Sequence, residues 1–523
     1  MRSHRLIGLK AADRLGSMAV TALKSLSCEQ FLLKSVWWAV LILAGLVAAC
    51  SELPSNNIRF GLATAPVTLD PRYATDAVSY RISRLIYRGL VEFDTAFRPV
   101  PALASWQQIT PTCYRFRLGT AGRLFHDGTH LTASDVKATY ESVLDTTNAS
   151  PHRGSLTVIQ RIESPDRDTV DFFLHKPDPL FPGRLVIGIL PAHLIARGHP
   201  FNKAPVGSGP FRFWHWPNEA KLQLERWIDK QLAEFITVAD PTVRVLKLLR
   251  GELDLLQGDL PPEMIRWLEA RPTIQVQKGR GDTFAYLGFN LDDPVAGRLP
   301  IRQAIAYALD RQAIIHSILG GTARKASTLF PPDHWAGHPR AYKYDYNLDK
   351  ARRLLRDAGY TAPLRISYKT SNNPFRVRLA TVIQHQLKQA GIEVQIQSYD
   401  WGTFYADIRA GRFQMYSLGW VGVKLPDIFR YALHSDSVPP QGANRGRFKS
   451  PVVDSLIEQA ETTADLDTQA ALYRELQSEL LRELPYVPLW YEDNVLVAQS
   501  RIQGYVLAAD GNYDGLIHTD RRE

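Results

Sequence analysis

Two histidines, His126 and His130, stand four residues apart, the spacing that sets paired metal ligands on one face of a helix. Here they flank the turn sequence Phe125-His126-Asp127-Gly128, so helical metal geometry is not expected. The chain contains no HExxH, no paired CxxC and no GxSxG. Carboxylate pairs are many, and none is set apart by its neighbours. A lone cysteine, Cys113 in TCYRFRL, lies in an alternating pattern and reads as a small buried hydrophobe, not a nucleophile. The glycine-rich run Val206-Gly207-Ser208-Gly209-Pro210-Phe211 lacks the Lys-Ser/Thr of a phosphate loop and reads as a crossover between domains. No nucleophile–base pair is visible. A catalytic site assembled from distant residues would leave the same local silence, so the absence weighs little. The expectation carried forward is a protein that is not an enzyme, with no catalytic residues, no cofactor and no metal ligands.

Aromatic turns between strands carry more information. Tyr368-Lys369-Thr370-Ser371-Asn372-Asn373-Pro374 joins a strand to a helix, Asp400-Trp401-Gly402 follows a strand, and Gly419-Trp420 ends one. All three are expected at the carboxyl edge of one parallel sheet, where open α/β sheets bind ligands. Tryptophan and tyrosine there supply apolar area and a polar tip. The competing reading of Trp401 and Trp420 is that they are core residues.

The elements that must hold these turns follow from periodicity. Ile392–Ile396 and Leu364–Tyr368 read as strands around a helix Phe375–Ala390, a βαβ unit that requires a parallel pair and a right-handed crossover. Further strands are expected at Ile58–Ala63, Tyr114–Leu118, Val170–Leu174, Phe211–Trp214, Leu253–Leu256, Tyr286–Asn290, Phe413–Trp420, Val487–Tyr491 and Asn494–Ala498. Helices are expected at Ile82–Leu90, after Thr132 (capped by it, with Asp135 completing the box), within Asp240–Leu255 on a face of Val243, Val245, Leu246 and Leu249, at Pro300–Leu309, Asp349–Ala358, Val452–Ala460 and Gln469–Leu484.

Near the start, Ser35–Cys50 (SVWWAVLILAGLVAAC) is uncharged and shorter than the ~20 residues of a spanning helix, the length of a signal-peptide core. Its end, Val47-Ala48-Ala49-Cys50, resembles the lipobox of bacterial lipoproteins, which implies a signal peptide over 1–49 and a diacylated Cys50; an uncleaved anchor helix is the alternative. Either puts the rest outside the cytosol, at a bacterial membrane. Six Lys/Arg and two Asp/Glu precede Cys50, so the formal charge of +9 becomes 56 − 51 = +5 for the mature chain. That excess is spread thinly, with no block suited to nucleic acid. Cys28 leaves with the signal and Cys50 is consumed, so Cys113 has no partner.

A set of short motifs resembles the peptide/nickel class, family 5, of extracytoplasmic solute-binding proteins of ABC importers. They are Thr68-Leu69-Asp70-Pro71, Leu85–Val91, Pro101–Ala104, Phe125–Thr129 with Ala133–Val136, Gly207–Phe211, Gly251–Asp254, Asn290 followed by Ile301–Ile305 and Ala308–Arg311, Ala351–Gly359, Gly419-Trp420 and Asn444-Arg445. The resemblance implies an α/β, three-lobed fold of the type II-like periplasmic-binding-protein kind (cluster C), with mixed sheets and a hinge. Domain I would comprise 51–92, 206–280 and 487–523, domain II 93–205, and domain III 281–486. A peptide or other small solute would lie between lobes I and III, against Thr75, Asp76 and Ala77 on one side and Trp401, Gly419, Trp420 and Val421 on the other, with Asn372 or Asn373 nearby and Trp490 on the final strands. The monomeric, lipid-anchored protein would deliver it to a permease–ATPase complex. Two departures qualify the ligand. Where peptide-binding members carry an aspartate that pairs with the peptide α-amino group, this chain has Val423; the neighbouring Asp-Pro-Asp reads Leu425-Pro426-Asp427. Loss of that charge-assisted bond argues against a free-amino peptide and leaves blocked or cell-wall peptides, other small polar compounds, metal chelates and haem open. The region Trp227–Ile236 is also shorter than usual. An extracytoplasmic hydrolase and a chaperone-like lipoprotein without a transporter are the competing classes.

Overall fold

The computed structural model describes residues 56–341 and 344–522; Cys50 and the apolar run before it lie outside them. Residues Asn57–Glu523 form one unit. The βαβ unit is present. Leu364–Ser371 and Ile392–Tyr399 pair in parallel, Leu364 opposite Ile392 and Ser371 opposite Tyr399, with helix Pro374–Gln389 between them in sequence. Buried Leu379, Ala380, Ile383 and Leu387 on that helix face the sheet core, and Gly391, at φ 89°, takes the left-handed turn that a side chain would resist.

This unit lies at one edge of an eleven-stranded mixed sheet. The order across it is Ile392–Tyr399, Leu364–Ser371, Met415–Trp420, Ile274–Phe289, Tyr486–Gln499, Leu255–Gln257, Ile58–Leu62, Leu232–Thr237, Lys221–Arg226 and Phe211–Asn218, with Ala323–Lys325 also paired to Tyr486–Gln499. A separate four-stranded antiparallel sheet orders Ala104–Thr110, Cys113–Leu118, Thr169–Leu174 and Ile159–Glu163, and helix Ala133–Leu144 packs its own core of Leu131, Val136, Tyr140, Phe116 and Phe172. Thr132 and Asp135 form the expected capping box, and Cys113 is buried on its strand.

Several expectations need correcting. The helix read as Ile82–Leu90 runs Ala77–Ile86, started by Asp76, whose carboxylate accepts from Ser79 N at 2.8 Å. It stops because the Ile86 carbonyl accepts from Gly209 N–H at 2.8 Å, so Leu90 is buried from extended chain. Gly209 and Gly207 are glycines for that contact: a Cβ on Gly207 would stand 2.1 Å from the Ile86 oxygen. The strands read as Val487–Tyr491 and Asn494–Ala498 are one, Tyr486–Gln499, and Tyr286–Asn290 is the tail of the sixteen-residue strand Ile274–Phe289. Polar residues hid both, because they fall where the register between the two strands shifts, between Gly279 and Thr283. On helix Pro241–Leu249 the expected face is rotated. Val243 and Leu246 are exposed, and Arg244 is buried, donating to the carbonyls of Val238 (2.6 Å), Ala239 (3.0 Å) and Asp259 (2.6 Å). A buried guanidinium satisfied by carbonyls has no period that a hydrophobic pattern detects.

Two histidines tie distant loops together. His126 Nδ1 accepts from Gly207 N and its Nε2–H donates to Gly209 O at 3.0 Å. His334 lies between the rings of Phe330 and Phe97, accepts from Ala336 N at 3.0 Å and donates to Lys424 O at 3.1 Å. Burial depresses both to about 4 from an ordinary 6.5, against the pull of the carbonyls they bond. The neutral rings therefore stabilise the fold fully above the unfolded value, and that contribution drains as pH falls from ~6.5 towards ~4. Urea midpoints measured across this range should fall with acid, and His126→Gln and His334→Gln should each flatten the slope; an unchanged slope in both would contradict the assignment.

Candidate ligand site

Because Met415–Trp420 also pairs in parallel with Leu364–Ser371, the residues after Ser371, Tyr399 and Trp420 leave the sheet at one edge. Asn372 N–H donates to Tyr399 O at 2.7 Å, tying two of these exits together. Asn373 caps the following helix through Phe375 N (3.0 Å) and Arg376 N (3.2 Å). Asp400 caps helix Trp401–Ala410, accepting from Thr403 N at 3.1 Å. The cap makes Trp401 the first helical residue, 58% exposed, and one turn on Tyr405 stacks under it with centroids 5.5 Å apart at 10°.

Arg445 joins this pair to the second tryptophan. Its guanidinium lies 4.8 Å from the Trp420 ring and 5.5 Å from that of Tyr405, and donates to Tyr405 Oη (3.2 Å) and Tyr286 Oη (3.3 Å). Tyr286 stacks on Tyr486 at 4.2 Å and beyond Trp420 at 6.5 Å. Among the described residues no carboxylate forms an ion pair with Arg445; its partners are ring faces and phenols. Trp420 is half-buried, Gly419 is exposed opposite Ala285, and Val421 is 59% exposed. Trp401, Gly419, Trp420 and Val421 thus share one aromatic wall. Trp490 does not join it. It is 1% exposed, paired opposite Ala285 on one side and Lys325 on the other, in the core with Leu287, Ile305 and Leu489. The expectation that Trp490 lines the site is corrected, since the core packed on that face of the sheet covers its ring.

On the other side, Thr75 and Ala77 are exposed at the start of helix Ala77–Ile86, and the Asp76 carboxylate is already engaged as the cap. A charged cluster links this helix to the aromatic wall. Lys424, four residues past Trp420, pairs with Asp510 at 2.6 Å and lies 5.2 Å from the Phe93 ring. The next residue after Asp510, Gly511, packs so closely on Arg81 that a Cβ would stand 2.7 Å from Nη2. Arg84 pairs with Asp514 at 2.7 Å. Burial works against the charge of Asp510, but Lys424 outweighs it and holds the carboxyl below its usual range. Asp282 is the odd member. It sits in the register shift of Ile274–Phe289, its Oδ2 is sealed from solvent without a hydrogen-bond donor, and burial, with Asp510 adding to it, pushes its carboxyl up to about 6.

Val423 is half-buried, and Asp427 is engaged elsewhere: it accepts from Arg184 Nη1 at 2.7 Å, while the same guanidinium holds Asp178 at 2.7 Å. Asp427 therefore docks the loop onto the segment around residue 184 and does not stand in for the missing aspartate. Lys424, Asp510, Asp282 and Tyr405 were not found from sequence. Tyr405 was reachable, as the residue one turn beyond Trp401 once Asp400 is read as a cap. Arg445 lay in a quoted motif without a role. Among the described residues, no group of three or more His, Cys, Asp or Glu could hold a metal ion.

Residues 97–438, well over half the chain, match the bacterial extracellular solute-binding proteins, family 5. The chain belongs to that family. It is accordingly an extracytoplasmic solute-binding protein and not an enzyme. It is 25% identical to heme-binding protein A of Haemophilus influenzae over 503 residues, covering 88% of this chain and 91% of that one. It is 25% identical to the oligopeptide-binding protein AppA of Bacillus subtilis, covering 89% and 94%. Among solved structures, the ABC transporter-associated periplasmic binding protein DppA of Helicobacter pylori, in complex with the peptide STSA, superposes with a TM-score of 0.74 at 27% identity, covering 90% of this chain and 98% of that one. These likenesses bear out the α/β solute-binding fold.

The two halves of the aromatic wall should respond differently to truncation. Trp401→Ala removes an exposed ring and should change unfolding free energy by less than ~1 kcal/mol. Arg445→Leu removes the buried guanidinium that Trp420, Tyr405 and Tyr286 share and should cost about 1–3 kcal/mol by urea denaturation. Equal costs would mean that Arg445 does not organise the wall.

Proposed function

We propose that the chain is the solute-binding lipoprotein of an ABC importer, anchored through Cys50 on the periplasmic side of a bacterial membrane and acting as a monomer. It holds an oligopeptide or similar small polar solute between lobe I, at Thr75, Asp76 and Ala77, and the aromatic wall of lobe III, with Asn372 at the rim. Closure of the lobes around the solute shifts an open–closed equilibrium, and the closed form presents the solute to a permease–ATPase complex. The observation that carries the reading is the Lys424–Asp510 pair at 2.6 Å, which ties the loop after Trp420 to the C-terminal segment beside helix Ala77–Ile86. The separate cores beneath the antiparallel module, the βαβ edge and the Ile58 edge support a division into lobes I (51–92, 206–280, 487–523), II (93–205) and III (281–486), except that Val487, Leu489 and Trp490 pack in the core of the βαβ edge, on the side of lobe III. Relatives named for oligopeptide binding, and a neighbour solved with a peptide, support the ligand class.

The chemistry of the wall narrows that class. With Val423 in place of a carboxylate and Asp427 bound to Arg184, the loop offers no acid for an α-ammonium. Ring faces around Arg445 supply apolar area and cation–π character instead. Blocked peptides thus suit the site as well as free ones. Calorimetry on a peptide that binds and on its N-acetylated form should give affinities within about threefold, because a charge-assisted bond worth ~1.5–3 kcal/mol is not made; a loss of tenfold or more on acetylation would overturn this reading. Separately, Cys50→Ser should leave the chain at its unprocessed mass, and a shortened, unacylated product by mass spectrometry would remove the anchor from the proposal.

A further inference from the structure

The free edge of the long sheet is Phe211–Asn218, and it carries exposed apolar surface unlike that of the site just described. Trp214 is 52% exposed, and Ile228, at the tip of the turn joining Lys221–Arg226 to Leu232–Thr237, is 88% exposed. Trp227 beside it is half-buried, held by Trp227 N–H donating to Pro210 O at 2.7 Å. Arg212 bridges the two rings, with its guanidinium 5.8 Å from Trp214 and 5.3 Å from Trp227, and Lys230 Nζ lies 4.3 Å from the Trp227 ring. Each cation around them has a carboxylate partner, and Glu225 serves two. Arg212 pairs with Glu225 at 2.8 Å, Lys230 with Glu225 at 3.6 Å, and Arg226 with Asp229 at 2.6 Å. The patch is therefore tryptophan and isoleucine ringed by three cations that share two carboxylates.

Strand register puts this patch at the same end of the sheet as the start of the first strand. Ile58 is opposite Ala233, Ala233 opposite Leu224, and Leu224 opposite Phe213, the neighbour of Trp214. Three strand spacings of ~4.8 Å make a lateral separation of about 15 Å. The chain enters Ile58 from Cys50, eight residues upstream, a reach of at most ~28 Å when fully extended. A membrane that holds Cys50 is thus within reach of the patch.

We propose that Trp214, Trp227 and Ile228 form an interfacial surface that rests on the lipid headgroups of the anchoring membrane and fixes how the protein stands on it. The inference depends on acylation of Cys50 as read under the proposed function. The chemistry fits the occupant: indole rings place apolar area in the acyl boundary and an N–H among headgroups, and the Arg212 and Lys230 stems lie along them with their charge outward. A single turn contributes little affinity alone, so the patch orients a protein that the acyl chains already hold.

The test uses the full chain, purified in its processed form and reconstituted in phosphatidylethanolamine–phosphatidylglycerol vesicles. A fluorophore is attached through Ile228→Cys, or, as control, through Val67→Cys, which is 80% exposed beyond the opposite end of strand Ile58–Leu62; the native Cys113 is buried. Lipids brominated near the headgroup should quench the label at position 228 at least about threefold more than that at 67, and Trp214→Ser with Trp227→Ser should reduce the difference. Equal quenching at the two positions, with Cys50 acylated by mass, would overturn the surface while leaving the anchor intact. An unacylated Cys50 would overturn both. Quenching or protection at 228 that appears only when a permease complex is added would reassign the patch to a protein partner.

Discussion

Two strands, Ile274–Phe289 and Tyr486–Gln499, run antiparallel from Ile274 opposite Gln499 to Gly288 opposite Tyr486, and the rest of the large sheet is hung on them. On one side Met415–Trp420 pairs with the later half of the first strand; on the other Leu255–Gln257 pairs with the later half of the second. The βαβ edge and the Ile58 edge therefore touch the same ladder at different heights. That arrangement needs strands far longer than the usual five or six residues, and it needs a place where the ladder gives way. The register shift between Gly279 and Thr283 is such a place. Gly281 has no room for a Cβ against the Glu492 carbonyl, which would lie 2.2 Å away. A bulge turns side chains out of their alternation, and it is here that Asp282 is directed into the charged cluster instead of into the ladder.

The cluster obeys the cost of burying charge. Lys424 and Asp510 are each largely covered, and either alone would be expensive; paired at 2.6 Å they stay ionised. Asp282 has no such partner in reach of its Oδ2, so it moves towards neutrality instead. The arginines are managed differently. Arg244 and Arg311 end on backbone carbonyls, and Arg445 on aromatic rings, so none demands a carboxylate.

What was legible in the sequence divides along physical lines. Wherever apolar residues kept one period, the element was found: the parallel pair around Pro374–Gln389, helix Leu348–Asp357 before Gly359, and the two helices near the end. Aromatic, turn-rich segments between strands gave the carboxyl-edge turns, and with them the grouping of Trp401 and Trp420. The misses share a cause. Strands whose polar residues sit in a bulge broke into pieces, and buried arginines inverted the face of Pro241–Leu249. Contacts between distant segments, Lys424 with Asp510 and Asp427 with Arg184, leave no local trace, because neither partner differs from a solvated residue until the chain is folded. Trp490 was misplaced for the complementary reason. A tryptophan on a terminal strand has the right chemistry for a site, and only the packing of its face of the sheet, with Leu287 and Ile305, decides that it is core.

The replacement at Val423 is best understood together with Asp427 and Lys424. An aspartate in that loop would stand one residue from Lys424 and compete with Asp510 for it, while Asp427, already half neutralised by Arg184, would add to the local negative field. A valine removes that competition and leaves Lys424 to Asp510. Under the proposed function, the consequence for recognition is a shift from point charge to surface. The wall that remains, with Trp401, Tyr405 and Trp420 gathered around Arg445, attracts through area and ring polarisation, which tolerate variation in the solute better than a bidentate ion pair does.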